Sequence, residues 1–166
     1  MGKIILLNGP SSSGKSTIAK ALQVLIKEQR EENYGIVSVD DFLNMSVNEP
    51  IFEDDVFEIS DKLNKKVIDL LETSDGVIVD HVITSKRIYD GLMERCGSFD
   101  LISVKVYCSL DILKHREKER ENRSIGSAEA SLEYLYPKDG YDLTVDNSTV
   151  AAKECAEKLF KQIEFQ

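Results

Sequence analysis

The 166-residue sequence predicts an α/β fold, a parallel sheet covered on both faces by helices. Three observations carry the prediction. Short apolar runs alternate with helical stretches of about ten to fifteen residues, the pattern of successive βαβ units. The run Gly76-Val77-Ile78-Val79 is apolar throughout, as strands buried on both faces are. A glycine-bounded loop, Gly9 to Ser16, stands between the first apolar run and the first helical one.

The elements follow in order. Ile4 to Leu7 is the first strand, four apolar residues with strong sheet-packing side chains. Lys15 to Arg30 has helical spacing, and Ile36 to Val39 is a second strand ended by Asp40 and Asp41. Asn44 to Glu53 has no period and contains Pro50, so it is expected to be a loop. From Phe57 to Glu72, Ile59, Leu63, Val67, Leu70 and Leu71 fall on one helical face. Gly76 to Asp80 is the third strand, Ser85 to Arg95 a helix, and Leu101 to Cys108 a fourth strand interrupted only by Ser103 and Lys105. Asp111 to Asn122 is a strongly charged helix with Ser109 as its expected N-cap. Leu143 to Val145 is a short fifth strand, and Thr149 to Phe160 a final amphipathic helix. There is no internal repeat, low-complexity stretch or linker, so residues 1–166 are expected to form one domain.

Composition narrows the function. Hydrophobic residues make up 42% and charged residues 31%, an ordinary globular balance. A net charge of −9, from 30 acidic and 21 basic side chains, argues against a nucleic-acid or anionic-membrane binder. Cys96, Cys108 and Cys155 form no CxxC pair and no zinc-ligand spacing, which suits a reduced, cytoplasmic setting. No signal-peptide pattern opens the chain, and no apolar run approaches the roughly 20 residues of a membrane span.

The loop Gly9-Pro10-Ser11-Ser12-Ser13-Gly14-Lys15-Ser16, followed by Thr17, fits Gly-x4-Gly-Lys-Ser between a strand and a helix. Its glycines let backbone N–H groups turn inward on a polyphosphate, and the following helix points its positive end at the same place. Lys15 is placed to reach the β- and γ-phosphates, and the Ser16 hydroxyl to ligate Mg²⁺. The sequence therefore predicts a nucleoside triphosphate site.

In an open parallel sheet, ligands bind past the carboxyl ends of the strands. There the chain places Asp40 and Asp41, then Asp80 and His81, then a helix bearing Arg116, Arg120 and Arg123, and finally Asp146, Asn147 and Ser148. Asp80 fits a carboxylate that holds Mg²⁺, or else a turn-capping Asp. Asp40 and Asp41 are candidate general bases for an attacking hydroxyl, and Asp40 is preferred because a tight turn would aim its neighbour elsewhere. The three arginines share a helical face, either as a phosphate-covering lid over about 114–130 or as part of a solvated, salt-bridged surface. His81 is a candidate acceptor contact or an ordinary loop histidine. Glu53-Asp54-Asp55 suits either a cationic acceptor or a helix start. Phe42, Met45, Phe52 and Phe57 suit either an apolar acceptor pocket or the core. Asn147-Ser148-Thr149 suits a base contact or a helix cap.

From Lys3 to about Lys161 the chain resembles the chloramphenicol phosphotransferase family of P-loop kinases. The match rests on Ile4 to Ser16, on Val39-Asp40 with Phe42-Leu43, on Val79-Asp80-His81-Val82, on Arg116, Arg120 and Arg123 with Gly126, and on Tyr141-Asp142 with Val145-Asp146. The resemblance implies a P-loop kinase fold, five parallel strands in the order 2-3-1-4-5. It also implies Asp40 as the base, an arginine-bearing lid, and transfer of the γ-phosphate from ATP, with Mg²⁺, to a small-molecule hydroxyl. No family feature is recognisable from Asn44 to Ser60, where acceptor contacts are expected. Tyr134 to Gly140 replaces a region where relatives often carry a His. Alternatives are a nucleotide or metabolite kinase of the same fold and a nucleotide-dependent switch. For the switch, neither Asn-Lys-x-Asp nor Asp-x-x-Gly occurs in the chain.

Overall fold

A computed structural model describes residues 2–43, 53–120 and 125–165. Five strands, β1 (Lys3–Asn8), β2 (Tyr34–Ser38), β3 (Gly76–His81), β4 (Asp100–Tyr107) and β5 (Leu143–Asp146), form one parallel sheet in the order 2-3-1-4-5. Around it run α1 (Lys15–Arg30), α2 (Glu53–Leu71), α3 (Lys86–Cys96), α4 (Leu110–Glu119), α5 (Ser127–Tyr134) and α6 (Ala152–Gln162), with a 3-10 turn at Val39–Phe42. Each strand differs from its expected bounds by a residue or two, and α2 begins at the acidic run Glu53-Asp54-Asp55, the helix-start alternative.

The central strand explains the apolar runs. β1 pairs with β3 on one side and β4 on the other, so its backbone is saturated and both its faces are covered. Ile5 and Leu7 pack with Ile18, Leu22 and Ile26 of α1 and Leu159 of α6. Ile4 and Leu6 pack on the opposite face with Leu63 and Val67 of α2 and Ile88 and Leu92 of α3. All four β1 residues are essentially inaccessible, and each contributes about 1.5–3 kcal/mol by burial.

Two differences concern the functional edge. α4 ends at Glu119 instead of Asn122, because Arg120 leaves helical dihedrals (φ −96°, ψ 109°) and its N–H closes on the Glu117 carbonyl. The continuous helix expected to align Arg123 with the other arginines therefore stops before it, and Arg123 itself lies outside the described residues. The second difference is α5, which periodicity alone did not mark. It starts at Gly126 in the left-handed region (φ +95°) and buries Ala128 and Ser131.

The aromatic residues divide in the same way. Phe42 and Phe57 pack against the α2/α3 core, so the core alternative holds for them. Met45 and Phe52 lie outside the described residues, as does most of the segment 44–53 expected to be a loop.

Candidate active site

At the carboxyl edge of the sheet, the turn after β1 is shaped by backbone constraints. A Cβ on Gly9 would lie 2.5 Å from the Val106 carbonyl oxygen, so the chain leaves β1 pressed against β4. Ser12 (φ +68°) and Gly14 (φ +92°) both adopt left-handed conformations, the alternation that aims successive amides into one concavity. Gly14 is doubly constrained, since a Cβ there would stand 2.1 Å from Asn147 Nδ2. The Lys15 ammonium donates to the Pro10 carbonyl at 2.9 Å and to Ser13 Oγ at 3.4 Å, and the side chain is buried.

The loop opens into a cleft of about 540 Å³. Ser11, Ser12, Gly14, Lys15, Ser16 and Thr17 line its floor. Asp40, Asp80, Arg116 and Arg120 line its sides, and residues 147–152 close its far end. Gly9, Pro10 and Ser13 do not line the cleft and brace the loop from behind. Ser13 in particular offers its carbonyl to Asn147 Nδ2 at 2.8 Å and to Arg116 Nη1 at 3.3 Å. Arg116 also donates to the Asn147 carbonyl at 2.8 Å, so one guanidinium bridges the loop and the β5–α6 connection. Arg120 reaches Ser12 Oγ at 3.5 Å. Two of the three arginines thus face the phosphate loop; of their neighbours, His115 lies 3.2 Å from Glu119, and Glu119 also lines the cleft.

Asp80 occupies β3 opposite Leu7 and is 4% exposed. Ser38 Oγ donates to Asp80 Oδ2 at 3.2 Å and accepts from Asp40 N at 3.3 Å, joining the ends of β2 and β3. Sequence reasoning missed Ser38, whose only signal was its place just before the aspartates. The oxygen-only set of Ser16 and Asp80 at a polyphosphate-sized cleft fits Mg²⁺, which binds through one or two carboxylates and keeps water and phosphate ligands. Among the described residues no cluster of three or more His, Cys, Asp or Glu forms an all-protein metal cage.

A second cavity, about 510 Å³, adjoins the first and shares Ser11, Val39, Asp40 and Val82 with it. Val56 of α2, Ile88 of α3, and Ala130 and Tyr134 of α5 form its largely apolar walls, with Thr84, Ser85, Ser127 and Ser131 adding hydroxyls. Asp40 lines both cavities and Asp41 lines neither. His81 also lines neither. It is fully buried, and burial, aided by the Lys15 ammonium, pushes its pKa down to about 4, so it packs as a neutral core residue and not as the acceptor contact considered above.

Two buried polar residues tie distant segments together beside these cavities. Asn8 donates to the Tyr136 carbonyl at 3.0 Å and to Tyr141 Oη at 2.9 Å, and accepts from Ile83 N at 2.9 Å. Ser131 Oγ accepts from Ser11 N at 2.9 Å, tying α5 to the phosphate loop. These partners lie 75 to 133 residues away in sequence, so no local pattern announced them.

The same architecture occurs in solved kinases. A sugar kinase from Janibacter sp. HTCC2649 is similar over 97% of this chain and 94% of its own, with a TM-score of 0.74 at 16% identity. The APS kinase of Mycobacterium tuberculosis, solved with AMPPNP and APS, matches over 96% of each chain with a TM-score of 0.74 at 18% identity. The shikimate kinase of Acinetobacter baumannii, solved with shikimate, matches over 98% of this chain and 93% of its own, with a TM-score of 0.66 at 17% identity. At such identities the likeness shows the fold, that of P-loop kinases. Comparison of the sequence with curated proteins finds no significant match. The pattern that defines the chloramphenicol phosphotransferase-like proteins, by contrast, runs through residues 2–164, and the chain belongs to that family of kinases.

Proposed function

We propose that this chain transfers the γ-phosphate of ATP, in the presence of Mg²⁺, to a hydroxyl group of an uncharged small molecule. The observation that carries the reading is the place of Asp40, at the seam between a polyphosphate-sized cleft and a mostly apolar cavity. In this reading the triphosphate lies in the first cavity, against the backbone that Ser12, Gly14, Lys15, Ser16 and Thr17 bring to its floor, with Lys15 opposite the β- and γ-phosphates. Ser16 and Asp80 hold Mg²⁺, which supplies charge neutralisation on the phosphate oxygens. Arg116 steadies the nucleotide, and Arg120 and Arg123 offset charge during transfer. The acceptor hydroxyl gives its proton to the Asp40 carboxylate as its oxygen bonds to the γ-phosphorus. The bond from that phosphorus to the bridging oxygen breaks, and ADP leaves with the electron pair.

Among the described residues the second cavity is lined by no Lys or Arg and by a single carboxylate, the proposed base Asp40, which supports an uncharged acceptor. Its apolar walls supply contact area and its hydroxyls supply orientation. Chloramphenicol, from which the family takes its name, is the first acceptor to test, beside a panel of neutral alcohols. A single domain working in the cytoplasm, where ATP is plentiful, completes the proposal.

The test is acceptor-stimulated ADP release with product identified by mass spectrometry. Asp40→Asn is expected to bind a fluorescent ATP analogue normally while transfer falls by about 10²–10⁴-fold, and Asp41→Asn is expected to stay active. Transfer unimpaired in Asp40→Asn removes that residue from the role of base.

A further inference from the structure

One side chain of the charged α4 run is not on its solvated face. Glu117 is 2% exposed, and its carboxylate accepts two backbone N–H groups where α5 begins. Oε1 takes Ala128 N at 2.8 Å and Oε2 takes Gly126 N at 3.1 Å. Amides at a helix start have no partner inside their own helix, so the carboxylate satisfies donors that α5 cannot. Beneath it Cys108, Leu113 and Ala128 form a small buried cluster with Ile112 and Leu132 packed alongside. At the surface Lys114 pairs with Glu129 at 3.5 Å.

The two helices joined in this way serve different cavities. α4 brings Arg116 to the phosphate cleft, with Arg120 just past its end, whereas α5 brings Ser127, Ala130, Ser131 and Tyr134 to the second cavity. Glu117 lines neither cavity, yet it fastens a wall of one to a wall of the other.

We propose that Glu117 is a positioning residue that couples nucleotide binding to the shape of the acceptor cavity. The proposal rests on the kinase reading given above. Separating the carboxylate from Gly126 and Ala128 would orphan two amides and strand a buried charge, so α4 and α5 move as one body. When the arginines engage a polyphosphate, α5 is drawn into a fixed position. By reciprocity, an acceptor held against α5 tightens the hold on nucleotide. The competing route is the bond from Ser11 N to Ser131 Oγ, which ties α5 to the phosphate loop directly.

Amide hydrogen exchange across residues 127–134, with and without AMPPNP and Mg²⁺, separates these possibilities. In wild-type protein the nucleotide analogue is expected to slow exchange in α5 about fivefold or more, the lower end of coupling between linked sites. Glu117→Gln puts an amide donor where an acceptor oxygen stood. It is expected to bind AMPPNP and lose the slowing, and Ser131→Ala to keep it. Glu117→Asp keeps the charge but shortens the reach, is expected to lose the slowing too, and carries the test should the Gln variant not fold. A purely structural role would raise α5 exchange equally in both states and leave the ratio intact, and that result overturns the proposal. So does slowing that survives in Glu117→Gln but disappears in Ser131→Ala. Wild-type protein that binds AMPPNP without slowing α5 overturns the coupling and leaves the kinase reading standing. Wild-type protein that binds no AMPPNP removes both.

Discussion

Replacing Asn8 by Ala isolates what the buried polar pins contribute. The side chain is inaccessible and spends its hydrogen-bonding capacity on three distant partners, the Ile83 N–H, the Tyr136 carbonyl and the Tyr141 hydroxyl. Truncation leaves the buried Ile83 N–H without an acceptor, a cost of about 1–3 kcal/mol. The Tyr136 carbonyl loses a donor, and Tyr141 loses an incoming bond but keeps its own donation to the Pro137 carbonyl at 2.7 Å, together about 1 kcal/mol more. The expected loss is about 3 kcal/mol, or about 10 °C in Tm for a chain of this size. Against a typical stability of about 5–15 kcal/mol, the variant still folds. Urea titration with thermal melting measures both numbers. Asn8→Asp supplies an internal control: it keeps the acceptor for Ile83 N but sets an oxygen against the Tyr136 carbonyl. It should lose more than the Ala variant near neutral pH and recover as acid protonates it. A loss under about 1 kcal/mol for Asn8→Ala would refute the reasoning, since no orphaned buried amide is that cheap.

Gly14→Ala forces a side chain into left-handed backbone and against Asn147, which must give up its bond to the Ser13 carbonyl. The expected cost is about 2–3 kcal/mol, with loss of binding of a fluorescent ATP analogue. Asp80→Asn is expected to raise the Mg²⁺ concentration needed for half-maximal ADP release by about 10- to 100-fold, leaving metal-free nucleotide binding nearly unchanged. Burial pushes the Cys96 thiol from 9 up to about 11, and its raised value adds stability that is complete below pH 9 and is lost as pH rises towards 11, roughly 3 kcal/mol in all. Cys96→Ala should therefore flatten the alkaline fall of the urea midpoint, although Tyr141, raised to about 12 by burial, keeps part of the slope.

Much of the frame was legible because its cause is local. β1 and β3 are covered on both faces, so their residues are apolar without alternation, and the phosphate loop announces itself by spacing. The strand order came from family resemblance, since spacing alone sets no order among parallel strands. Asp40 was preferred to Asp41 on a turn argument and on the family resemblance; of the two, Asp40 lines both cavities and Asp41 neither. What was not legible depends on distant partners. α5 begins on a carboxylate nine residues before Gly126, and a short helix with few apolar positions gives little periodic signal. The end of α4 was missed because charged, helix-favouring residues continue beyond Glu119, and nothing local says where the backbone turns. His81 read as a loop residue because a strand end cannot be told from a loop without knowing what packs over it.

Apart from Ser11, Val39, Asp40 and Val82, which line both, the two cavities draw on different stretches of chain. The phosphate cleft is made from the first turn, α4 and the β5–α6 connection, whereas most of the neighbouring wall comes from α2, α3 and α5. Substitutions at Val56 or Ile88, on helices that the Glu117 contact does not touch, are therefore expected to reshape the second cavity and leave the phosphate loop as it is. A scaffold divided along such a line can diversify its clientele over evolutionary time while conserving its energy source.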